Sequence, residues 1–286
     1  MVVPKYQVGG LTVAVVSDGT MWRDGGAVFG AVPKVMWSRV AESNERNEVP
    51  LGLNCLLVES NGKTVLIDTG YGDKNVALLK KRGIPVEHGR LMSVLDGMGV
   101  KAGDVDIVIN SHLHSDHCGW NTRRVGDSLK PTFPNARYYI QRAEWEAALH
   151  PNDRSRAGYD QENLLPLEAT GQVEFLEGEQ QVTPDIRVVE APGHTADHAS
   201  VVISNSGETA VYLGDLVHHA VQLERSAWVC AYDDLPLVSM ETKRKIVAEA
   251  VAKQHLLICA HNTFPGVARL QTNDGKTQYV AETASA

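Results

Sequence analysis

The segment Ser111-His112-Leu113-His114-Ser115-Asp116-His117 places four metal-binding side chains, His112, His114, Asp116 and His117, within one short run. Imidazoles this close repel one another when charged, and they are costly to bury when neutral and unpartnered. A metal ion removes both problems. The donors are nitrogen and oxygen with no thiolate, a set that suits zinc and also accepts manganese, iron or cobalt.

The elements that must position these donors can be read from the apolar pattern. Val105 to Asn110 reads as a strand that opens into the His112 run. Three further runs of strand length end in a metal-binding residue: Ile186–Glu190 before His194, Thr209–Leu213 before Asp215, and His255–Ala260 before His261. Four apolar runs, each closing on a donor, are what strands of one packed core deliver to a common edge. Scattered surface histidines would not follow that rule.

Elsewhere, Val8 to Asp18 reads as a strand leading into a turn, and Leu51 to Asp68 as a hairpin turning at Asn61-Gly62. Helices are expected over His88–Met98, Ala143–His150 and Ser239–Gln254. Asn152 to Gly171 is polar and irregular, a candidate flap over the site. The alternation predicts an α+β fold, a four-layer αββα sandwich. It is expected as one domain over residues 1–286, its two αβ halves joining near 130–135.

The motif His112-x-His114-x-Asp116-His117, with His194, Asp215 and His261, resembles the ligand set of the metallo-β-lactamase superfamily. The resemblance implies that His112, His114 and His194 hold one metal, that Asp116, His117 and His261 hold a second, and that Asp215 bridges them. Two divalent ions are implied as cofactors, zinc foremost, with manganese, iron or cobalt as alternatives. A metal-bridging hydroxide would then attack the substrate with no serine or cysteine nucleophile. Asp24 to Trp37, Phe133–Ala136, His150–Ser155 and Trp228–Asp234 resemble YtnP-type quorum-quenching lactonases. Gly214–His218 and Ala260–Gly266 also look like methyl parathion hydrolase. The expected function is therefore hydrolysis of a lactone, of the N-acyl homoserine lactone or γ-butyrolactone type. The alternative is an aryl ester or organophosphate triester hydrolase. A flavin-dependent oxygen or nitric oxide reductase module is disfavoured by the His-rich run and by the lack of a flavin-binding portion.

The acyl-homoserine lactonases carry a tyrosine close to the bridging aspartate, and this sequence has none there. His218 or His219 could take that place, or Tyr232. Asp116, His218 and Tyr232 are the expected catalytic residues. Asp68, after its strand, is expected to accept a proton from a ligand imidazole, and His198 to be a structural histidine. Trp22, Phe29, Met36, Trp37, Trp120 and Phe264 are candidates for an apolar pocket, with Phe29 to Trp37 the first choice as a loop wall.

Composition sets the outer bounds. The 286 residues carry a net charge of −8, with 43% hydrophobic and 22% charged content. These values suit a water-soluble globular chain. No apolar run suggests a membrane span, and Met1 to Lys5 shows no signal-peptide pattern. Four separated cysteines without a CxxC pair read as free thiols of a cytoplasmic protein, Cys118 and Cys259 as small buried residues. The acidic balance argues against nucleic acid as a partner. Lys80-Lys81-Arg82 and Lys243-Arg244-Lys245 are short basic clusters, the second read as a solvated helix face. A small-molecule lactone or ester is the expected partner, with no membrane; a homodimer is left open.

Overall fold

A computed structural model describes residues 3–81 and 86–285. Strands β1 (Lys5–Val8), β2 (Leu11–Asp24), β3 (Glu48–Ser60), β4 (Lys63–Ile67) and β5 (Ile107–Ile109) begin a first sheet. A separate ribbon of β6 (Thr122–Val125) and β7 (Ser128–Pro131) intervenes before β8 (Arg137–Gln141) and β9 (Val173–Leu176) complete that sheet, in the order β1-β2-β3-β4-β5-β8-β9. The second sheet keeps chain order: β10 (Gln180–Thr183), β11 (Ile186–Glu190), β12 (Ala199–Asn205), β13 (Glu208–Tyr212), β14 (Leu256–Ile258), β15 (Val267–Asn273) and β16 (Lys276–Ala281). The helices are α1 (Gly25–Phe29), α2 (Lys34–Trp37), α3 (Val76–Lys81), α4 (Leu91–Gly97), α5 (Ser115–Cys118), α6 (Arg142–Leu149), α7 (Leu165–Ala169), α8 (Val221–Glu224) and α9 (Pro236–Lys253).

The layers follow from period-two alternation with both faces covered. On β4, β5, β13 and β14, the residues Val65, Ile67, Ile107, Ile109, Ala210, Tyr212, Leu256 and Ile258 meet in the core between the sheets. Their neighbours Leu66 and Val108 face outward into a second core with Leu91 and Leu95 of α4 and Trp145 of α6. Val211 and Leu257 face the opposite way, into a third core with Ala250 of α9. Helix, sheet, sheet and helix therefore stack as the expected αββα sandwich. The hairpin turns at Asn61 and Gly62, both at positive φ, and the expected helices form as α4, α6 and α9 with slightly shifted ends. No helix of the described residues is long and apolar enough to cross a membrane.

Several expectations are corrected. β2 does not stop at Asp18 but shifts register between Ser17 and Thr20 and runs on to Asp24. Asp18 leaves the ladder there and accepts from the backbone N–H groups of Tyr71, Gly72 and Leu91 and from Trp120 Nε1, all at 2.8–3.0 Å. The passage between sheets lies between Leu176 and Gln180, not near 130–135. Phe133 and Ala136 at the expected join pack inside the outer core of the first sheet. Lys243 is buried, its Nζ donating to the Trp228 carbonyl at 2.6 Å, so only Arg244 and Lys245 of that trio face solvent. Lys80 and Lys81 are exposed on α3, while Arg82 lies outside the described residues.

The segment Phe29 to Trp37 is not a loop wall. It contains the end of α1 and all of α2. Phe29 and Trp37 stack at 5.1 Å between ring centroids, and both are buried with Val28, Val49 and Leu53. Met36 and Phe264 are exposed, and Trp120 lies in the helical-layer core. A Trp37→Ala variant should lose about 3–5 kcal/mol of stability, the usual loss for a buried aromatic truncated to Ala. Equilibrium denaturation measures it. A loss under about 1 kcal/mol would contradict the core assignment.

Candidate metal centre

Strand direction assembles the donors. β4 and β5 are parallel, so Asp68 and the His112 run leave the same edge of the first sheet. β11 and β13 both pair antiparallel with β12, and β13 is parallel to β14. The three strands thus run in one direction, and His194, Asp215 and His261 emerge together. Gly214, at φ +53°, lets the chain turn into Asp215; a Cβ there would stand 2.5 Å from His198 Nε2.

Two triplets of donor atoms result, one of His112, His114 and His194, the other of Asp116, His117 and His261. In the first, His114 Nδ1 lies 3.1 Å from His112 Nε2 and 2.9 Å from His194 Nε2. In the second, the Nε2 atoms of His117 and His261 are 3.0 Å apart, and His261 Nε2 is 3.7 Å from Asp116 Oδ2. Asp215 stands between them. Its Oδ2 is 3.2 Å from His194 Nε2 and 3.9 Å from His112 Nε2. Its Oδ1 is 2.8 Å from His117 Nε2 and 2.9 Å from His261 Nε2. All but His114 and Asp116 are buried.

Outer partners fix which ring nitrogen faces inward. His117 Nδ1 donates to Asp68 Oδ2 at 2.7 Å, His194 Nδ1 to Asp233 Oδ1 at 2.9 Å and His261 Nδ1 to the Gly52 carbonyl at 2.7 Å. Ser111 Oγ donates to Asp68 Oδ2 and lies 3.2 Å from His112 Nδ1. An acceptor behind each ring holds the proton on Nδ1 and leaves an Nε2 lone pair pointing into the site. Nitrogens about 3 Å apart with no proton between them are what a cation at roughly 2.0–2.1 Å from each would collect. Asp215 Oδ1 is buried with no hydrogen-bond donor, although two such nitrogens face it. Donor chemistry and this orphaned oxygen both fit bound metal. Burial, then the neighbouring His194, holds the His114 imidazole down to about 3, and burial also holds His112 well below its ordinary value. Both are therefore neutral and ready to ligate.

Asp68 does what the sequence led us to expect, and also accepts from Ser111 N and Tyr212 Oη. His198 is structural: its Nδ1 donates to the Ala191 carbonyl, and its Nε2 accepts from the Asp215 N–H at 2.9 Å. His219 turns away from the donors, its ring edge-on to Phe29 and its Nδ1 accepting from Val221 N. His218 turns inward, with Nε2 3.2 Å from Asp215 Oδ2 and its ring centroid 6.3 Å from that of Tyr232.

A cavity of about 320 Å³ opens over Asp116, Asp215, His218 and Tyr232, with Met21 and Leu51 on its apolar side. None of the six aromatic and methionine candidates lines it. The polar stretch from Asn152 does contribute, through Arg154, Ser155, Ala157 and Gly158. It docks directly on a donor: Ser115 N donates to the Gly158 carbonyl, and a Cβ at Gly158 would stand 2.6 Å from His114 Cδ2. Beyond Tyr159 the same stretch is ordered into α7.

Sequence reasoning gave Asp233, Glu144 and Arg154 no role. Asp233 orients His194. Glu144 is fully buried and accepts from Leu113 N, Thr195 Oγ1 and Tyr159 Oη, tying the His112 run, the His194 loop and the flap together. Arg154 donates to the carbonyls of Ala231 and Asp233 and pairs with Asp234. One signal was available for Asp233: every ligand histidine needs an acceptor behind it, and an unassigned Asp-Asp pair followed Tyr232.

A family model described as the metallo-beta-lactamase superfamily matches residues 49–261. An N-acyl homoserine lactonase of Bacillus cereus is 28% identical over 213 residues, covering 70% of this chain and 78% of its own length. A probable metal-dependent hydrolase from Staphylococcus aureus superposes with a TM-score of 0.86 at 26% identity, covering 98% of this chain and 100% of its own. AidC, a dizinc quorum-quenching lactonase in complex with a product, superposes with a TM-score of 0.82 at 20% identity, covering 99% of this chain and 98% of its own. That last likeness speaks for the fold alone.

Removing the acceptor behind His194 should loosen metal without unfolding the chain. Asp233→Ala is expected to weaken metal affinity by roughly 10–100-fold. Competition against a chromophoric chelator measures the change, and unaltered affinity would show that Asp233 does not support a ligand.

Proposed function

This chain belongs to the metallo-beta-lactamase superfamily, and we propose that within it the protein opens lactone rings of the N-acyl homoserine lactone or γ-butyrolactone kind. That it is a metal-dependent hydrolase follows from the family and its relatives. The observation that carries the dinuclear hydrolase reading is Asp215, whose two oxygens face separate donor triplets at the floor of a small cavity. Relatives named as N-acyl homoserine lactonases support the substrate class.

In this reading His112, His114 and His194 hold one divalent ion and Asp116, His117 and His261 the other, with Asp215 shared and zinc the first choice. When bound, the ions supply a nucleophilic hydroxide near neutral pH and polarise the carbonyl oxygen. The chain's own residues do the rest. Asp68 and Asp233 keep the ligand imidazoles oriented. Met21, Leu51, Ala157 and Ala231 exclude water around the ring; the cavity is at the small end for ligand sites. Tyr232 lines the cavity, and burial raises its phenol above the ordinary value, so it remains a proton donor to the developing oxyanion. His218 Nε2 is placed to give its proton to the departing alkoxide.

Elemental analysis of protein purified without chelator should approach about two equivalents of metal per chain. Asp215→Ala should lower occupancy at both sites together, and retention of both ions with normal turnover would remove Asp215 from the bridge. The substrate class is tested by kcat/KM on acyl-homoserine lactones, γ-butyrolactones, aryl esters and a paraoxon-like triester in parallel. Lactones should lead by roughly tenfold or more, about 1.36 kcal/mol of transition-state preference. A triester that leads by that margin would replace the lactonase reading with phosphotriester hydrolysis.

A further inference from the structure

Arg23 stands near the end of β2, on the stretch that continues past the register shift, and its side chain lines the cavity over the metal donors. It is half-buried. Its Nη1 donates to the Trp22 carbonyl at 3.2 Å, and its guanidinium carbon lies 5.8 Å from the Tyr71 ring centroid. Among the described residues no carboxylate pairs with it. The other arginine of the cavity, Arg154, is committed to Asp234 and to two backbone carbonyls.

The cavity carboxylates are committed as well. Asp215 faces the imidazoles, Asp234 takes Arg154, and Asp116 faces His261. The guanidinium thus lines the same cavity as Asp116 and Asp215, with the Trp22 carbonyl and the neighbouring Tyr71 side chain as its protein partners and no carboxylate among them. A guanidinium offers five N–H donors in a rigid fork, and one bond to the Trp22 carbonyl with the Tyr71 hydroxyl alongside leaves part of that fork unused. A ligand that closes the cavity without offering an acceptor would bury those donors unsatisfied, which is costly.

We propose that Arg23 is a specificity-determining residue that donates to an oxygen acceptor beside the scissile carbonyl, namely the amide carbonyl of an N-acyl homoserine lactone. The assignment rests on the lactonase reading above. It makes the side chain a selector for the acyl-amide group, against lactones of similar size that carry a plain alkyl chain. A site built to hydrogen-bond a substrate group rejects the analogue lacking it far more strongly than an apolar pocket can.

The test compares N-hexanoyl homoserine lactone with a γ-alkyl-γ-butyrolactone of matched length, on the metal-loaded wild type, Arg23→Gln and Arg23→Lys. The wild-type ratio of kcat/KM, amide-bearing over alkyl, should fall by about tenfold or more in Arg23→Gln, as for loss of a charged hydrogen bond, with part of it kept in Arg23→Lys. Thermal unfolding and metal content measured on the same preparations report any structural damage. A merely structural Arg23, packed on Tyr71, would lower both substrates alike and leave the ratio unchanged; that result overturns the assignment while the lactonase reading stands. A wild type that opens neither lactone overturns the lactonase reading and the assignment with it.

Discussion

The site depends on one electrostatic constraint: lone pairs that converge because their protons are held outside. His117, His194 and His261 each give Nδ1–H to a fixed acceptor, in turn Asp68, Asp233 and the Gly52 carbonyl. Their Nε2 atoms, with His114 Nδ1, then crowd around Asp215, whose Oδ1 finds no donor to satisfy it, while His218 Nε2 stands 3.2 Å from Oδ2. Without cations that arrangement is repulsive and carries a buried, unpartnered carboxylate oxygen. With cations the same lone pairs become coordinate bonds. The burial of the ligands and the acceptors behind them are two parts of one requirement, since a ring free to rotate or to change tautomer would escape the repulsion.

Those acceptors explain why two sheets are needed. Asp68 follows β4 and Gly52 belongs to β3, both of the first sheet, while His261 and Asp215 follow strands of the second. Gly52 and His261 are bonded twice, Gly52 N to the His261 carbonyl and His261 Nδ1 to the Gly52 carbonyl. Tyr212, at the end of β13, donates across to Asp68. The seam between the sheets is thus pinned by groups that also set ligand tautomers. The shared apolar core beneath brings the two edges into register, and small shifts of one sheet against the other would be felt at the donors.

Much of this was legible in the sequence, for a physical reason. Strands buried on both faces read as unbroken apolar runs, so β5, β14 and the end of β13 stand out with the donors that follow them, while β11 shows itself by alternation, Ile186 and Val188 inward and Arg187 and Glu190 not. The tight turn at Asn61-Gly62 is equally local. What was missed is non-local. Ser17-Asp18-Gly19 has the composition of a turn, but Asp18 is satisfied by Leu91, Trp120 and the Tyr71 segment, far along the chain, and β2 simply continues. Phe29 and Trp37 lie between glycines and prolines, a context shared by pocket loops and by short helices over a satellite core; only their stacking against β2 and β3 residues decides for the core. Lys243 reads as solvated because its partner is a backbone carbonyl on another element. Arg23 carries no motif at all, and its meaning comes from what its neighbours have already claimed.

The stretch from Trp228 to Asp234 links orientation of a ligand to enclosure of the cavity. Lys243 fixes its start through the Trp228 carbonyl. At its other end, Asp233 gives its carboxylate to His194 and its backbone carbonyl to Arg154. Arg154 in turn belongs to the polar stretch that packs Gly158 against His114. His194 and His114, two donors of one triplet, are therefore held by two segments that Arg154 fastens to each other. Lifting the flap at Arg154 would break its bonds to the Ala231 and Asp233 carbonyls, so the segment that encloses the cavity is tied to the loop that orients His194. Glu144 reinforces the same closure from beneath, since its carboxylate takes Tyr159 of the flap and Thr195 beside His194 at once.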